Sequence, residues 1–485
     1  MIALGGFSPD APTTTPGIII DCTNFIPYEA GMEAAPVAVA YSDALAAECR
    51  GADTLSTLDA SRRVFAGTAA GMYELSGTSW TDRSRGAGYT LGAETQWSFA
   101  QFGDTSLCAN IDTVVQFSNS GAFADIATAP KAKIIVSALS SGGGFVFAFN
   151  TIDGTYGTSP DRWWCSALND ATTWTPSVAS QATTARLLGA EGPITAAVRF
   201  GDDRVVAFKA ESLYAGTYVG PPTAWAWSET PNFGCAGINA VADIGTALFV
   251  VGADNIYIFD GARPIPVDDK LKVWFNANCS SAYRWKTIVR HDRTNSTVWV
   301  FFANAASSTG ALDRCIVYHL RTQQWGRADQ TIEAAFRFAQ PTLTFDADSG
   351  TFDSSTDTFD AASPGTKQLA VFNSSHVLCT LTGVPAASDF TLHDIGDDDQ
   401  VTRVTQVRLQ YMTQPTSASI SAFGSMATGA GVTAGVTQSA YDVPSNGYNQ
   451  FTLRQTARWH RLKFSFTGLC RVAKYRVPLN TAGTR

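Results

Sequence analysis

The sequence predicts an all-β protein, with a β-propeller of about six blades followed by a small C-terminal β-sandwich. Three observations lead to this prediction. Apolar residues almost never recur at helical spacing, and the best exception is a weak stretch at residues 41–50. Short runs rich in Val, Ile, Phe, Tyr and Trp recur instead, bounded by Gly, Asp, Asn or Ser. These runs fall into six units of about 45 residues, the period of a propeller blade.

The clearest unit covers residues 238–267, where the strands TALFVVG and IYIFDG are separated only by the turn ADN. Turns this short join antiparallel strands and leave no room for a crossover, so the unit is predicted to be a meander. A similar order of strands occurs at 194–229, and a more degenerate one at 62–84. The other three units begin near residues 97, 132 and 283.

Four of the six units end in a turn that carries tryptophan. The turns are SGTSWTDR, LNDATTWTPS, PPTAWAWSE and LRTQQWGR. The units share this ending, but they are too diverged to be WD40 or kelch repeats.

The domain organisation follows from these units. We expect an N-terminal arm with the first strands at 1–60, a β-propeller at 61–394 and a C-terminal β-sandwich at 395–485, after the acidic boundary DIGDDDQ. The pair LAVFNSSHVLCTLTG, before that boundary, is a candidate for one further pair of blade strands. Beyond the boundary, VTRVTQVRLQYM alternates apolar and polar residues, as strands of a half-buried sheet do.

An acidic Phe-Asp segment near residues 345–360 interrupts the propeller region. Phe345, Phe352 and Phe359 are each followed by aspartate. A two-sided ribbon, with Phe inward and Asp outward, is the favoured interpretation. A calcium loop is the alternative, although the spacing is not that of an EF-hand. Its ligands would be Asp346, Asp348, Asp353, Asp357 and Asp360.

Composition narrows the functional classes. Hydrophobic residues make up 45% of the 485 residues and charged residues only 16%, which fits blades that bury both faces against their neighbours. The net charge of −8, without a run of Lys or Arg, argues against binding that neutralises DNA phosphates. We expect no signal peptide, because no basic and apolar segment precedes the first prolines, and no membrane span, because no apolar run is long enough. The chain is therefore expected to fold in a cytoplasm.

Residues with metal or redox chemistry are scattered. The nine cysteines are single and predict buried apolar thiols, while the five histidines share no metal-binding spacing. No nucleophile elbow or P-loop occurs, and SSGGGF at 140–145 is predicted to be a turn. We therefore assign no metal ligand and no cofactor-binding residue.

Because propellers also host glycosidases, paired carboxylates are the candidates for catalysis. They are Asp202 with Asp203, Asp268 with Asp269, and Asp397, Asp398 and Asp399. Each group lies where a hairpin turn is expected, and Asp is favoured there for turn geometry alone, so we assign no catalytic residue. Trp163 and Trp164 have the chemistry to stack a sugar or a base, but paired aromatics in a strand more often fill the gap between blades.

The N-terminal segment GGFSPDAPTTTPGIIIDCTNFIPYEAGMEAAP resembles the start of podovirus tail-hub, nozzle and packaged-DNA-stabilisation proteins. The likeness rests on Pro9-Asp10, Gly17, the step from Asn24 to Pro27, and Gly31. IYIFDGARPIPV, VWFNANC, YRWKTIVRHDRTNSTVWVFFA and CIVYHLRTQQWGR extend it over most of residues 1–330. The C-terminal domain has no such resemblance.

The resemblance implies a non-enzymatic structural protein of the virion tail, assembled in the host cytoplasm. It would form a ring with itself, a hexamer, below the portal and adaptor proteins and beside tail spike, fibre or needle proteins. That ring would retain packaged double-stranded DNA and conduct it during ejection. We expect its lumen to be acidic or neutral, because a basic lumen would hold DNA. A propeller glycan hydrolase and a receptor-binding tail module are the alternatives.

Overall fold

The structure is a computed structural model that describes residues 1–267, 270–341, 367–426, 437–439 and 448–484. Helical structure among these residues is limited to the α-helix Lys272–Asn278 and the 3-10 turn Arg284–Lys286. No helix in the described ranges has the length and apolar character needed to cross a membrane. The prediction of an all-β propeller with a C-terminal sandwich is confirmed.

The first four blades are four-stranded antiparallel meanders. From the innermost strand outward, blade 1 contains Ala52–Ser56, Arg62–Gly67, Met72–Ser76 and Ser79–Asp82, and blade 2 contains Ser98–Phe102, Thr105–Asn110, Thr113–Ser118 and Ala124–Asp125. Blade 3 contains Lys131–Ser140, Gly143–Asp153, Gly157–Cys165 and Thr183–Arg186, and blade 4 contains Ala196–Phe200, Arg204–Phe208, Ser212–Gly220 and Ala224–Pro231.

Three more blades complete the propeller. Blade 5 contains Val241–Asp243, Leu248–Val251, Ile256–Phe259 and Pro264–Pro266, and blade 6 contains Ile288–Asp292, Thr297–Ala303, Leu312–His319 and Gln324–Arg327. Blade 7 contains Ile332–Phe338, Gln368–Asn373, Val377–Gly383 and Val37–Ala44. Each innermost strand contacts the innermost strand of the next blade, and that of blade 7 contacts that of blade 1, so the ring is closed around an axial channel.

The count of about six blades rises to seven because the pair at 368–383 does form blade strands. The N-terminal strand Val37–Ala44 completes this blade by pairing antiparallel with Val377–Gly383. Residues 41–44, the start of the stretch with weak helical periodicity, belong to this strand, because hydrogen bonding to the sheet prevails over that periodicity. The two ends of the propeller are thus held together by backbone hydrogen bonds.

The tryptophans of the four repeated turns share one structural role. Each is carried by the outer part of its blade and packs against the preceding blade. Trp80 of blade 1 lies 5.7 Å from Phe372 of blade 7, measured between ring centroids, and Trp225 of blade 4 lies 4.7 Å from Phe147 of blade 3. Trp174 and Trp325 join the cores shared with blades 2 and 5 in the same way. These rings fix how neighbouring blades pack.

The sandwich is built from both ends of the chain. Its first sheet contains Ile2–Ala3, Phe25–Tyr28, Gly31–Ala34, Gln400–Thr413, Tyr448–Ala457, Arg471–Arg476 and Leu479–Thr484. Its second sheet contains Ile19–Thr23, Ser388–Leu392, Ile395–Gly396, Ser417–Ser425, Thr437–Ser439 and Trp459–Thr467. The segment expected to be an arm, 1–60, therefore supplies four sandwich strands and two propeller strands.

The N-terminal segment also joins the sandwich to the propeller. Phe25 pairs through its backbone with Arg327 in the outermost strand of blade 6, and its ring packs on Phe390 and Phe466 of the sandwich. Arg327 in turn donates a hydrogen bond to the carbonyl of Cys22 at 3.4 Å. One continuous hydrophobic core therefore extends from blades 4, 5 and 6 into the sandwich.

The residues that carry the family resemblance hold this N-terminal segment in place. The carboxylate of Asp10 accepts hydrogen bonds from the backbone N–H groups of Val273 and Trp274, at 2.6 and 2.9 Å, at the start of the helix. Asn24 accepts a hydrogen bond from the backbone N–H of Asp329. A Cβ at Gly31 would lie 2.2 Å from the carbonyl oxygen of Val472, so only glycine fits there.

Candidate functional site: the axial channel

The innermost strands of six blades enclose a cavity of about 520 Å³ in the axial channel. The innermost strands of all blades except blade 5 line the cavity, together with adjacent loops. The only contribution near blade 5 is the loop at Ile238 and Asn239, which precedes its first strand. Successive side chains of a strand point to opposite faces, but in the innermost strand of a blade some of them reach the axis. The cavity is a well-formed concave site lined by several blades, which makes it the candidate ligand site.

Two arginines and one aspartate line the inner part of the cavity. The Arg290 guanidinium donates hydrogen bonds to the carbonyl oxygens of Ala335 and Val289, both at 2.8 Å, and to Asn239 Oδ1 at 2.7 Å. Arg337 Nε has no hydrogen-bond partner among the described residues. Neither arginine forms an ion pair with a described carboxylate; Asp53 acts on both arginines over a longer range, and Asp243 and Asp292 act on Arg337 in the same way.

Burial controls the protonation of these groups. It lowers the pKa of Arg290 to about 10, with Asp53 acting in the opposite direction. Burial also lowers the pKa of Arg337 and raises the pKa of Asp53, against the attraction of Lys367, Arg290 and Arg337. Both arginines stay cationic at neutral pH.

Further charged residues at the cavity mouth have partners. Arg50 Nε lies 3.9 Å from Glu48, and Arg199 donates to Asp202 at 2.8 Å. Glu333 accepts hydrogen bonds from the Cys49 backbone N–H at 2.9 Å and pairs with His376 Nδ1 at 2.6 Å.

Trp285 lies at the same mouth and has cations near its ring. Lys133 Nζ and Lys286 Nζ are 5.9 and 5.5 Å from the ring centroid, within the range of cation–π interaction. Burial lowers the pKa of Lys133, and the attraction of Glu94 opposes this shift. The mouth therefore adds an aromatic surface and two lysines to the arginines inside.

The described carboxylates among those considered from the sequence do not line this cavity. Asp202 and Asp203 lie in the turn between the first two strands of blade 4, with side chains 100% and 73% exposed. Asp268 and Asp269, like the acidic segment at 345–360, lie outside the described residues.

The third carboxylate group belongs to the sandwich. Asp397 Oδ1 accepts hydrogen bonds from the backbone N–H groups of Asp399 and Gln400, at 2.9 and 2.7 Å. Asp398 accepts one from Trp459 Nε1 at 2.7 Å. Asp397 therefore stabilises a turn, as its sequence context predicted, while Asp398 links this turn to the strand Trp459–Thr467.

Trp163 and Trp164 fill gaps between blades, which confirms the favoured interpretation. Trp163 packs against Phe147 and Trp227 in the core between blades 3 and 4. Trp164 belongs to the core between blades 2 and 3. Both are almost fully buried and unavailable for stacking.

All nine cysteines are buried and free, which confirms the prediction of apolar thiols. Burial raises their pKa values, for Cys165 and Cys235 to about 12. They are therefore protonated and poorly nucleophilic at neutral pH.

Burial of histidines leads to a testable pH dependence. The pKa of His291, His319, His393 and His460 is lowered, in each case mainly by burial. The folded protein therefore keeps these rings neutral where the unfolded chain binds protons, below about pH 6.5. We expect the free energy of unfolding to fall between about pH 7 and pH 6, by at most about 1.4 kcal/mol per pH unit for each ring.

Urea denaturation at the two pH values measures this effect. His393→Gln should weaken the pH dependence, since one titrating ring is removed. The raised pKa values of Asp21, Glu33, Asp53 and Glu333 act with the opposite sign and become important at lower pH. Stability that stays constant or rises from pH 7 to pH 6 would contradict the prediction.

Sequence reasoning missed Asp53, Arg290, Arg337 and Trp285. A signal was present for two of them, since Arg290 and Arg337 are cations within the otherwise apolar inner strands KTIVRHD and IEAAFRF. Asp53 has no comparable signal, because it resembles a turn residue in RGADTLS. Their convergence depends on the closure of the ring, which local sequence patterns do not reveal.

Neither a protein-family model nor a curated protein sequence matches this chain. Among solved structures, YCF48 bound to a D1 peptide is 14% identical, with a TM-score of 0.37 over 74% of this chain and 98% of that one. The extracellular domain of a putative hybrid two-component system from B. thetaiotaomicron is 10% identical, with a TM-score of 0.39 over 79% and 44% of the two chains. An exo-β-1,3-galactanase from Phanerochaete chrysosporium is 8% identical, with a TM-score of 0.27 over 91% and 100%. At these values the likenesses carry no argument about function.

Proposed function

We propose that this protein is a non-enzymatic structural component of a bacteriophage tail, a nozzle or hub. In this proposal it assembles as a ring of about six copies below the portal and adaptor proteins, retains packaged DNA and conducts it during ejection. Tail spike, fibre or needle proteins are its further neighbours. The place of action is the virion tail.

The observation that carries the proposal is the path of the N-terminal segment. It supplies strands to both sheets of the sandwich and then closes blade 7, so that both domains and both chain ends belong to one body. Two domains joined in this way resist separation by mechanical force. To separate them, the pairing of the N-terminal strands and the shared hydrophobic core would have to be disrupted together. Such resistance suits a protein that bears the pressure of packaged DNA.

The N-terminal resemblance supports the same proposal. Asp10, Asn24 and Gly31, which carry the resemblance, each fix the N-terminal segment in this fold. These three residues thus help to join the propeller and the sandwich into the single unit on which the proposal rests.

A ring of identical subunits requires head-to-tail contacts between two different surfaces of the chain. Exposed apolar side chains are candidates for such contacts. Among the described residues, the large apolar side chains with the highest exposed fraction, 69–80%, are those of Leu58, Leu188, Val273 and Val384. They lie on different parts of the propeller and its connection to the sandwich.

Light scattering of the purified protein, alone and with the other tail proteins, tests the proposal. We expect a mass of about six chains, and aspartate substitutions of the four exposed residues, one at a time, to reduce the mass at the true interface without changing the circular dichroism spectrum. A stable monomer in both conditions would contradict the ring. Hydrolysis or specific binding of glycans by that monomer would favour the propeller hydrolase or the receptor-binding module.

A further inference from the structure

We propose that the axial cavity binds a small anionic ligand that also carries hydroxyl groups, such as a phosphorylated or carboxylated sugar. Arg290 and Arg337 would hold its anionic group, and Gln96 would accept a hydrogen bond from a hydroxyl. This proposal is independent of ring formation and of any role in a tail.

The first step is the charge inside the cavity. Arg290, Arg337 and Asp53 line it without forming an ion pair, whereas Arg50 and Arg199 are engaged with Glu48 and Asp202. Glu48, Glu94 and Glu333 also line the cavity, but no described carboxylate lies at ion-pair distance from either of the two guanidinium groups. An anion would supply the close partner that these two buried cations lack.

Two other carboxylates near Arg337 attract it without forming an ion pair. Asp243 and Asp292 act on Arg337 electrostatically but do not line the cavity. Asp243 accepts a hydrogen bond from the Gly245 N–H at 2.7 Å, and Asp292 from the Thr294 N–H at 3.0 Å. Both are held in turns outside the cavity.

The second step is the set of unsatisfied polar atoms. Arg337 Nε is a buried donor and Gln96 Oε1 a buried acceptor, and neither has a hydrogen-bond partner among the described residues. Leaving such a group unpaired costs about 1–3 kcal/mol. Both side chains line the cavity, so a ligand with an anionic oxygen and a hydroxyl group would pair with these atoms once the side chains turn them toward the cavity.

The third step is size and position. A cavity of about 520 Å³ lies within the range of small-molecule sites and accommodates a monosaccharide with an anionic substituent. Arg290 is already oriented by Ala335, Val289 and Asn239, so binding would require little ordering of this side chain. Lys133 and Lys286, beside Trp285 at the mouth, attract an anion toward it.

Calorimetric titration of the full-length protein at constant ionic strength tests the proposal. The probes are glucose 6-phosphate, glucuronate, glucose and inorganic phosphate. We expect at least one of the two anionic sugars to bind, more tightly than glucose or phosphate alone, and which one binds distinguishes phosphate from carboxylate recognition. Absence of binding by both anionic sugars, or equal binding of glucose, would overturn the proposal.

Three variants locate the site. Arg337→Gln should weaken binding of the anionic sugar by about tenfold or more, since a charge-assisted hydrogen bond is lost. Gln96→Leu should weaken binding of the sugar but not of inorganic phosphate. Arg408→Gln, at an exposed position of the sandwich, is the matched control and should bind as the unmodified protein does. Unchanged affinity in both cavity variants would overturn the assignment of these residues.

Discussion

Phe25→Ala is expected to destabilise the whole protein, by about 3–5 kcal/mol of unfolding free energy. Phe25 is fully buried, and its ring centroid lies 5.1 Å from that of Phe390 and 5.8 Å from that of Phe466. The truncation leaves a cavity where the N-terminal segment, the sandwich and blade 6 meet. Urea denaturation followed by circular dichroism measures the loss, and a single transition is expected because the core is continuous.

Ile2→Ala is the control for this experiment. It removes an apolar side chain from the same N-terminal segment, but one that is 46% exposed, so its effect should stay within about 0.5 kcal/mol. If the two variants were equally stable, the N-terminal segment would not be part of the core.

Trp225→Ala is expected to produce a loss of similar size, about 3–5 kcal/mol, at the contact between blades 3 and 4. Trp225 is 2% exposed, and its ring lies 5.6 Å from Phe145 and 4.7 Å from Phe147 in the preceding blade. Because its Nε1 has no described hydrogen-bond partner, the loss comes from packing and not from a polar contact. Thermal denaturation and urea denaturation both measure it.

Val219→Ala provides the comparison for Trp225→Ala. Val219 lies in the neighbouring strand of blade 4 and is 56% exposed, so it should contribute little. A small effect of Trp225→Ala, comparable with that of Val219→Ala, would show that the repeated tryptophan does not fix the packing of the blades.

Local sequence patterns were sufficient to predict the strands of most blades. Short strands joined by tight turns are visible in the sequence because each blade is a meander whose strands follow one another directly. The pairing of Val37–Ala44 with Val377–Gly383 was not predictable, since more than three hundred residues separate the partners. The same holds for the sandwich strands supplied by the N-terminal segment, which no local period reveals.

The sequence likewise predicted only part of the candidate site. The sequence correctly predicted a turn role for Asp397, because its partners are the next residues of the chain, and packing roles for Trp163 and Trp164, because paired aromatics in a blade strand are typical of the gap between blades. The cavity was missed, because residues from different blades form it. Arg290 and Arg337, in the inner strands of blades 6 and 7, meet Asp53 only when the ring closes at blade 1.

The measurement that most directly tests the proposed role is electron microscopy of the purified protein, imaged alone and with its tail partners. We expect closed rings of about six subunits around an open centre, with each propeller and sandwich moving as one unit. A lumen lined mainly by Arg and Lys would contradict the expectation that DNA passes without being held. Particles that remain single chains under both conditions would contradict the tail-ring function itself.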